Sequence, residues 1–343
     1  YAPNILFVGS RSGYTHQTLQ SAIDAASAGD IIHIASGTLS GDATIDKELV
    51  IRGANHGQSA VVLDANGNPT PDLTTTLRKF EETTLDGTIT VAAKDVTIDG
   101  VRLHTSDQSK PLTWDTSLIS KSENADVDTQ GLNGFTLKNS FVTGYLAGNA
   151  PSFMGGDYVG PSAAKDWVIE DNFFGGVHTT SENFGSGSLY LGGLEDASIS
   201  DNVFWRPAAA HVYLSSLKNV TLEGNNFYHG LHAGGADFDG HSASFLGSQG
   251  YGYGYGYGYG YGYGYGSSSS DFYGRNYWLE LKGVNDGVLI RDNTGAYNSG
   301  GVQIYGEAAG YQFDNITIVD NVFEKFVNAD PNQVLESAES RHK

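Results

Sequence analysis

Residues 219–227 read NVTLEGNNF and contain the pattern that decides the fold: alternating apolar and polar residues, a polar pair, then an aromatic residue. Related stretches recur along the chain: DVTIDGVRLH from Asp95, GFTLKNSFVTG from Gly134, DWVIEDNFFGG from Asp166, DASISDNVFWR from Asp196, GVLIRDNTGAYN from Gly287 and NITIVDNVFEKF from Asn315. Successive side chains of a strand point to opposite faces. The pattern therefore predicts short strands with Val, Ile, Leu and Phe inside and Thr, Ser, Asp and Arg outside.

The spacing of these stretches indicates a solenoid. Ser198 follows Val168 by 30 residues, Thr221 follows Ser198 by 23, and Thr317 follows Leu289 by 28. Steps of this size suit one coil of a parallel β-solenoid. The step from Thr221 to Leu289 is 68 residues and contains eight consecutive Tyr-Gly pairs, 251–266. We interpret the excess, residues 228–276, as an insertion in one coil, so that 1–343 is one domain.

Composition narrows the function classes. The formal net charge is −20, which argues against nucleic acid as a partner, because phosphate binding needs clustered Lys and Arg. No apolar run approaches the roughly 18 residues of a membrane helix. The chain has no cysteine, which excludes disulfides and suits a protein outside the cell. Because the sequence starts at Tyr1, we expect a mature, secreted or cell-surface product without its export signal.

The two ends of the sequence differ. Residues 18–40 predict a capping helix, with Leu19, Ala22, Ile23 and Ala26 at helical spacing, followed by the first strand. Such a helix covers the core that an open solenoid end would expose. The tail 327–343 has a helical pattern and no obvious cap, so we expect the natural chain to continue past Lys343.

The opening TLQSAIDAASAGDIIHIASGTLSGDATIDKELVIRGA (18–54) closely resembles the pectin-lyase-like superfamily, and VTLEGNNF and ITIVDNVF resemble its coils. The resemblance runs from roughly Thr18 to Phe326. It implies an all-β fold, a single-stranded right-handed parallel β-helix. Members of this superfamily include pectate and alginate lyases, uronan epimerases, phage tailspikes, adhesins and surface-layer proteins, so the fold does not choose a function.

An asparagine follows the strand in several coils, at Asn172, Asn202, Asn293 and Asn321. Asparagine tolerates the left-handed turn conformation, so we predict that these residues adopt it. Stacked coils would then bring their side chains into a hydrogen-bonded ladder. We assign these residues a structural role and no catalytic one.

Aligning SLYLGG, HVYLSS, WLELKG and GVQIYG predicts one shared face of the solenoid. The alignment needs one inserted residue between Gly283 and Ile290. The predicted inward residues are Leu189, Val212, Leu279, Val302, Leu191, Leu214, Leu281 and Ile304. The predicted outward column is Tyr190, Tyr213, Glu280 and Gln303, beside a second column of Ser188, His211, Trp278 and Gly301. Adjacent coils lie about 4.8 Å apart, so these groups could contact consecutive sugar units.

The outward column has two interpretations. In one, Trp278 and the tyrosines stack on sugars while His211 and Tyr190 or Tyr213 serve as base and acid at a uronate C5. Glu280 is the remaining catalytic candidate. The substrate carboxylate would then need a cation, with Arg206, Lys218 and Lys282 as the sequence neighbours available. In the other interpretation, the column is an aromatic ladder favoured by β-propensity.

Motifs do not decide between these interpretations. The sequence has no Asp-Pro-His run of the alginate epimerases, no Arg-rich pectate-lyase signature and no paired-aspartate motif of the polygalacturonases. The stretch YHGLHAGGADFDGHS offers candidate metal ligands at His229, His232, Asp237, Asp239 and His241, at spacings of no standard site. The acidic loop SENADVD from Ser122 is a second candidate for calcium, the one cofactor that we expect.

The Tyr-Gly tract indicates contact rather than catalysis. Tyrosine gives large contact areas at low entropic cost, whereas the tract has no base and no cation. We predict a non-catalytic scaffold that assembles or adheres through partner contacts at Trp278, Gln303, Tyr305, Tyr251, Tyr253, Tyr255, Tyr257, Tyr259, Tyr261, Tyr263 and Tyr265. Its partner would be itself, another surface protein or an extracellular polysaccharide. The alternatives are a uronate polysaccharide lyase or C5-epimerase, and a phage tailspike-like glycan binder.

Overall fold

The repeated stretches form strands that pair in parallel with the corresponding strands of the next coil. The computed structural model describes residues 2–10, 12–61, 81–105, 111–120, 122, 124–142, 162–175, 189–205, 212–228, 279–296, 302–304, 311–324, 326–327 and 334–335. All pairings between the strands described are parallel except the last, between residues 326–327 and 334–335. The predicted all-β solenoid is therefore confirmed.

Two long sheets run the length of the solenoid. The first has ten strands, in the order β1 (Ile5–Val8), β2 (Ile31–Ile34), β5 (Val50–Arg52), β8 (Thr97–Asp99), β11 (Thr136–Lys138), β14 (Val168–Glu170), β18 (Ser198–Ser200), β21 (Thr221–Glu223), β25 (Leu289–Arg291) and β29 (Thr317–Val319). The second has nine, in the order β3 (Gly37–Ser40), β6 (Thr83–Asp86), β9 (Arg102–His104), β12 (Phe141–Val142), β15 (Phe173–Gly175), β19 (Val203–Trp205), β22 (Asn226–Tyr228), β26 (Thr294–Ala296) and β30 (Val322–Glu324).

Shorter sheets complete the coils. A four-stranded sheet contains β16 (Leu189–Gly192), β20 (Val212–Ser215), β23 (Leu279–Lys282) and β27 (Val302–Ile304), and a three-stranded sheet contains β10 (Leu112–Trp114), β7 (Ile89–Val91) and β4 (Ala43–Ile45). Three further pairs are β13 (Ala164–Lys165) with β17 (Leu194–Glu195), β24 (Val284–Asp286) with β28 (Gln312–Asp314), and β31 (Phe326–Val327) with β32 (Val334–Leu335). Helical structure among the described residues consists of α1 (Leu19–Ala25) and two 3₁₀ turns, Thr116–Leu118 and Val127–Thr129.

The register confirms the predicted spacing of the coils. Val168 pairs with Ser198, Ser198 with Thr221, and Thr221 with Leu289 across the insertion. The central residues of these strands point inward and are at most 2 % exposed: Ile98, Leu137, Ile169, Ile199, Leu222 and Ile290. The Tyr-Gly tract is therefore an insertion between two adjacent coils of one continuous core.

Buried asparagines form the predicted ladder. Asn172 donates from Nδ2 to Oδ1 of Asn202 at 3.0 Å, and the same bond continues to Asn225, Asn293 and Asn321 at 2.9–3.0 Å. The predicted conformation is wrong, however. Positive φ occurs one residue earlier, at Asp171, Asp201, Gly224, Asp292 and Asp320, because that residue makes the turn and leaves the asparagine to enter the core.

Aromatic side chains stack along the same direction inside the solenoid. Phe174 lies 4.9 Å from Phe204, and Phe204 lies 5.1 Å from Phe227, with ring planes within 10° of parallel. Their spacing matches the separation of neighbouring strands, so each ring covers the next. These rings are the aromatic residues at the end of the sequence pattern, and their role is packing.

The amino-terminal end is capped as predicted. Leu19, Ala22 and Ile23 of α1 are buried, and the Thr18 side chain accepts a hydrogen bond from the Ser21 amide as the N-cap. Lys47 donates to the carbonyls of Ile23 and Ala26 at the other helix end. Strand β1, which precedes the helix, was not predicted.

Residues 53–61 cross the turns of the following coils. Gly57 donates its amide to Asp99 Oδ1, and Ala60 donates its amide to the Asp171 carbonyl at 3.0 Å. A Cβ at Gly100 would lie 2.1 Å from the His56 amide nitrogen, so glycine at this position allows the crossing. The segment therefore connects its own coil with those of Asp99 and Asp171 at one corner of the solenoid.

The last described coil leaves large apolar side chains exposed. Ile304, Ile318 and Val322, in the last described coil, are 41–48 % exposed. The helical expectation for the tail is wrong at residues 334–335, which form β32; the remainder of 327–343, apart from Val327 in β31, lies outside the described residues. No helix within the described ranges is long and apolar enough to span a membrane.

Candidate functional site

The four-stranded sheet brings the predicted outward column into register. Tyr190 pairs with Tyr213, Tyr213 with Glu280, and Glu280 with Gln303. The inserted residue required by the alignment is also present, since Ser215 pairs with Lys282 but Lys218 pairs with Asp286. The backbone therefore places these four residues at equivalent positions of four consecutive coils. The outward direction of their side chains stays a prediction from strand alternation.

The residues on either side of this column behave as core in three of the four strands. The buried residues are Leu189, Leu191, Val212, Leu214, Leu279 and Leu281, each at most 3 % exposed. In the fourth strand, Val302 is half-buried and packs against the core, whereas Ile304 is 41 % exposed. Strand β27 is the last in its sheet among the described strands, so no described neighbour covers its outer side.

Each strand of this sheet follows a segment outside the described residues: 176–188, 206–211, 229–278 and 297–301. The segment that contains the Tyr-Gly tract leads directly into β23, the strand of Glu280. Several candidates fall in or beside these segments and are likewise undescribed: Ser188, Arg206, His211, Trp278, Gly301, Tyr305, the eight tyrosines 251–265, and the metal candidates His229, His232, Asp237, Asp239 and His241. They remain predictions.

Lys218 is one of two described lysines that could offset a substrate carboxylate, and it already has a partner. Lys218 Nζ lies 2.8 Å from Glu195 Oε1, and this hydrogen bond raises the pKa of Lys218. Burial opposes the charge of Glu195, but hydrogen bonds from Lys218 and Ser162 lower its pKa below the usual value. Lys282, the second described lysine considered, is only 9 % exposed.

The paired lysine belongs to a ladder of alternating charges. Lys165 hydrogen-bonds to Asp128 and pairs in register with Glu195, which pairs with Lys218 and then Asp286. In the ten-stranded sheet, Arg291 lies 2.8 Å from Glu223 in the same manner. These cations neutralise neighbouring carboxylates along the solenoid, which is a structural use of their charge.

The acidic loop proposed for calcium uses two of its carboxylates internally. Asp126 caps the 3₁₀ turn by accepting the Asp128 amide at 3.0 Å, and Asp128 pairs with Lys165. Glu123 lies outside the described residues. Within the described ranges, no group of three or more His, Cys, Asp or Glu side chains is placed to hold a metal ion.

Comparison with known proteins assigns no activity to this chain. No family model matches the sequence, and no curated protein matches it. A pectin methylesterase from Aspergillus niger is similar in structure, at 12 % identity and a TM-score of 0.45, over 99 % of this chain and 92 % of that one. The chain's own strand pairing, with parallel strands stacked in long sheets, defines its fold as a parallel β-helix.

The names of two further similar structures state two different functions. PfbA, a surface adhesin of Streptococcus pneumoniae, is 13 % identical with a TM-score of 0.47, over 89 % of this chain and 75 % of that one. An alginate lyase from Paenibacillus is 11 % identical with a TM-score of 0.38, over 89 % and 94 %. No residue role transfers to this chain at these identities.

Proposed function

We propose that this protein is an extracellular or cell-surface β-helix scaffold that assembles or adheres through its Tyr-Gly tract and the column Tyr190, Tyr213, Glu280 and Gln303. The observation that supports this most is topological. The insertion joins the solenoid at β23, whose Glu280 belongs to the column. The segment that contains the Tyr-Gly tract therefore continues directly into the sheet that contains the tyrosine column.

The chemistry of the tract favours a partner surface. Tyrosine combines an apolar ring with a hydroxyl group, so it packs and hydrogen-bonds at the same contact. Glycine between tyrosines lets a partner backbone approach closely. The partner is a second copy, another surface protein or an extracellular polysaccharide, and calcium is the cofactor that we propose for the contact.

Electrostatics favour this scaffold over an enzyme acting on uronate polymers. The chain carries a net charge of −20, which repels a polyanion. Three described cations, Lys165, Lys218 and Arg291, are paired with carboxylates of the chain itself. A uronate site therefore needs a cation from outside these pairs.

A lyase or C5-epimerase is the second candidate, because the register aligns Tyr190 with Tyr213 and His211 directly precedes β20. This enzyme would use His211 and one tyrosine as base and acid. The same tyrosine column would also serve a tailspike-like glycan binder, which holds sugar without turning it over.

Deletion of residues 250–270 tests the scaffold. We expect the purified protein to form concentration-dependent oligomers that calcium promotes, and the deletion variant to remain monomeric with an unchanged unfolding temperature. Undiminished association of the deletion variant would reject the tract as a contact. New ultraviolet absorbance from unsaturated uronate, on incubation with alginate or pectate, would instead establish the lyase.

A further inference from the structure

Two histidines meet near the amino-terminal end, far along the solenoid from the four-stranded sheet. His33 lies in β2 between two fully buried residues, Ile32 and Ile34, so its side chain points away from the core. His56 is exposed in the segment that crosses the turns. Their ring centroids are 5.4 Å apart, with the ring planes perpendicular.

The second histidine is held in place by its own turn. Its Nδ1 lies 2.9 Å from the Gly53 carbonyl oxygen, which requires the proton on Nδ1 and leaves Nε2 as the free acceptor. The neighbouring Gly57 amide is anchored to Asp99 Oδ1 at 3.0 Å. A metal-binding histidine usually donates its other ring N–H to a carbonyl or carboxylate oxygen, which fixes the orientation of the ring.

The ring separation fits two imidazoles on one ion. A tetrahedral ion binds each nitrogen at about 2.1 Å, and the nitrogen lies about 1.1 Å from its own ring centre, so the two centroids are about 5.3 Å apart. We propose that His33 and His56 form a two-histidine site for a borderline divalent transition ion, with water completing the coordination. Imidazole ligands select Zn²⁺, Ni²⁺ or Cu²⁺ over Ca²⁺, which takes oxygen ligands.

The local charges set the properties of this site. Arg52 pairs in register with His33 on the neighbouring strand, so its positive charge repels a dication bound there. Removing that charge should therefore strengthen metal binding, which a merely structural pair of rings would not do.

The test is a calorimetric Zn²⁺ titration of the full chain. His33→Phe and His56→Phe each keep an aromatic ring, and each should bind one equivalent less than the wild type. His104→Phe, in β9 of the nine-stranded sheet, is the matched control and should bind as the wild type does. Any ion at His229, His232 and His241 contributes equally to all variants and cancels in the difference.

Arg52→Gln supplies the second measurement, because it should bind Zn²⁺ more tightly without changing the stoichiometry. With Cu²⁺, electron paramagnetic resonance should show two nitrogen ligands whose signal is lost in His56→Phe. Equal stoichiometry in the wild type and both histidine variants would overturn the proposal, as would weaker binding by Arg52→Gln. The result is independent of the Tyr-Gly tract, so either proposal can fail alone.

Discussion

At the scale of single residues, two adjacent residues at each turn have different structural roles. The turn residue, such as Asp201 with φ 54°, bends the chain, and the next residue, Asn202, enters the core. The amide of Asn202 has both donors and acceptors, so it bonds to the coils on either side of it. Sequence reasoning found the ladder because asparagine recurs, but assigned the turn conformation to the wrong neighbour.

Asn202→Ala should lower the free energy of unfolding by roughly 3 kcal/mol, because it leaves buried polar groups without partners. The affected groups are the amide nitrogen and Nδ2 of Asn172 and the Ile169 carbonyl. Asn226→Ala is the control: this residue is only half-buried and bonds Thr294 Oγ1, so its loss should cost less than about 1 kcal/mol. Urea denaturation compares the two, and equal costs would reject the ladder as a source of stability.

Asp201→Asn should stabilise the fold at neutral pH. Burial, followed by the charges of Asp171 and Glu223, raises the pKa of Asp201 above its usual 3.8. Protonation of Asp201 therefore stabilises the folded state. This stabilisation is complete below pH 3.8 and is lost as the pH rises through the folded-state pKa. The gain should be below about 1 kcal/mol at pH 7 and vanish near pH 3.

Asp292→Asn is the matched control for Asp201→Asn. It occupies the same turn position in a later coil, but its carboxylate lies 3.9 Å from Arg291 Nε. Thermal unfolding at several pH values measures both variants. A gain for Asp201→Asn that persists at pH 3 would contradict the electrostatic explanation.

At the scale of elements, a crossing segment holds the coils of the amino-terminal half at one corner. Residues 53–61 pass over Gly100 and reach Asp171 through the Ala60 amide and the Ser59 hydroxyl. The sequence does not predict this crossing, because NHGQSA has no apolar periodicity and its partners are distant in the chain. By contrast, the helix α1 is predicted from local spacing alone, since its cap and buried face lie within ten residues.

Gly100→Ala should destabilise the protein by more than about 3 kcal/mol or displace residues 53–61. The added Cβ would lie 2.1 Å from the His56 amide nitrogen, at a φ of 74° that disfavours alanine. Gly29→Ala separates the two effects: its φ is 86°, but a Cβ there meets nothing within 4 Å. Alanine at residue 29 should cost about 1 kcal/mol. Similar unfolding temperatures for the two variants would show that the close crossing is unimportant.

At the scale of the whole molecule, the coil repeat specifies the fold, whereas function depends on what interrupts the repeat. Alternation and spacing predicted the strands, their register and even the one-residue insertion beside Lys282. Lys218 was misjudged as available, because its partner Glu195 is a neighbour across coils, 23 residues away. The histidine pair was missed for the same reason: His33 and His56 meet only after the chain has wound into coils.

The most direct test replaces all eight tyrosines of residues 251–265 with serine, which keeps the length of the insertion and the core unchanged. Sedimentation velocity over a range of concentrations then compares this variant with the wild type, with and without calcium. The scaffold account predicts that wild-type oligomers dissociate to monomers in the variant while its unfolding temperature stays the same. A variant that associates as strongly as the wild type would contradict it.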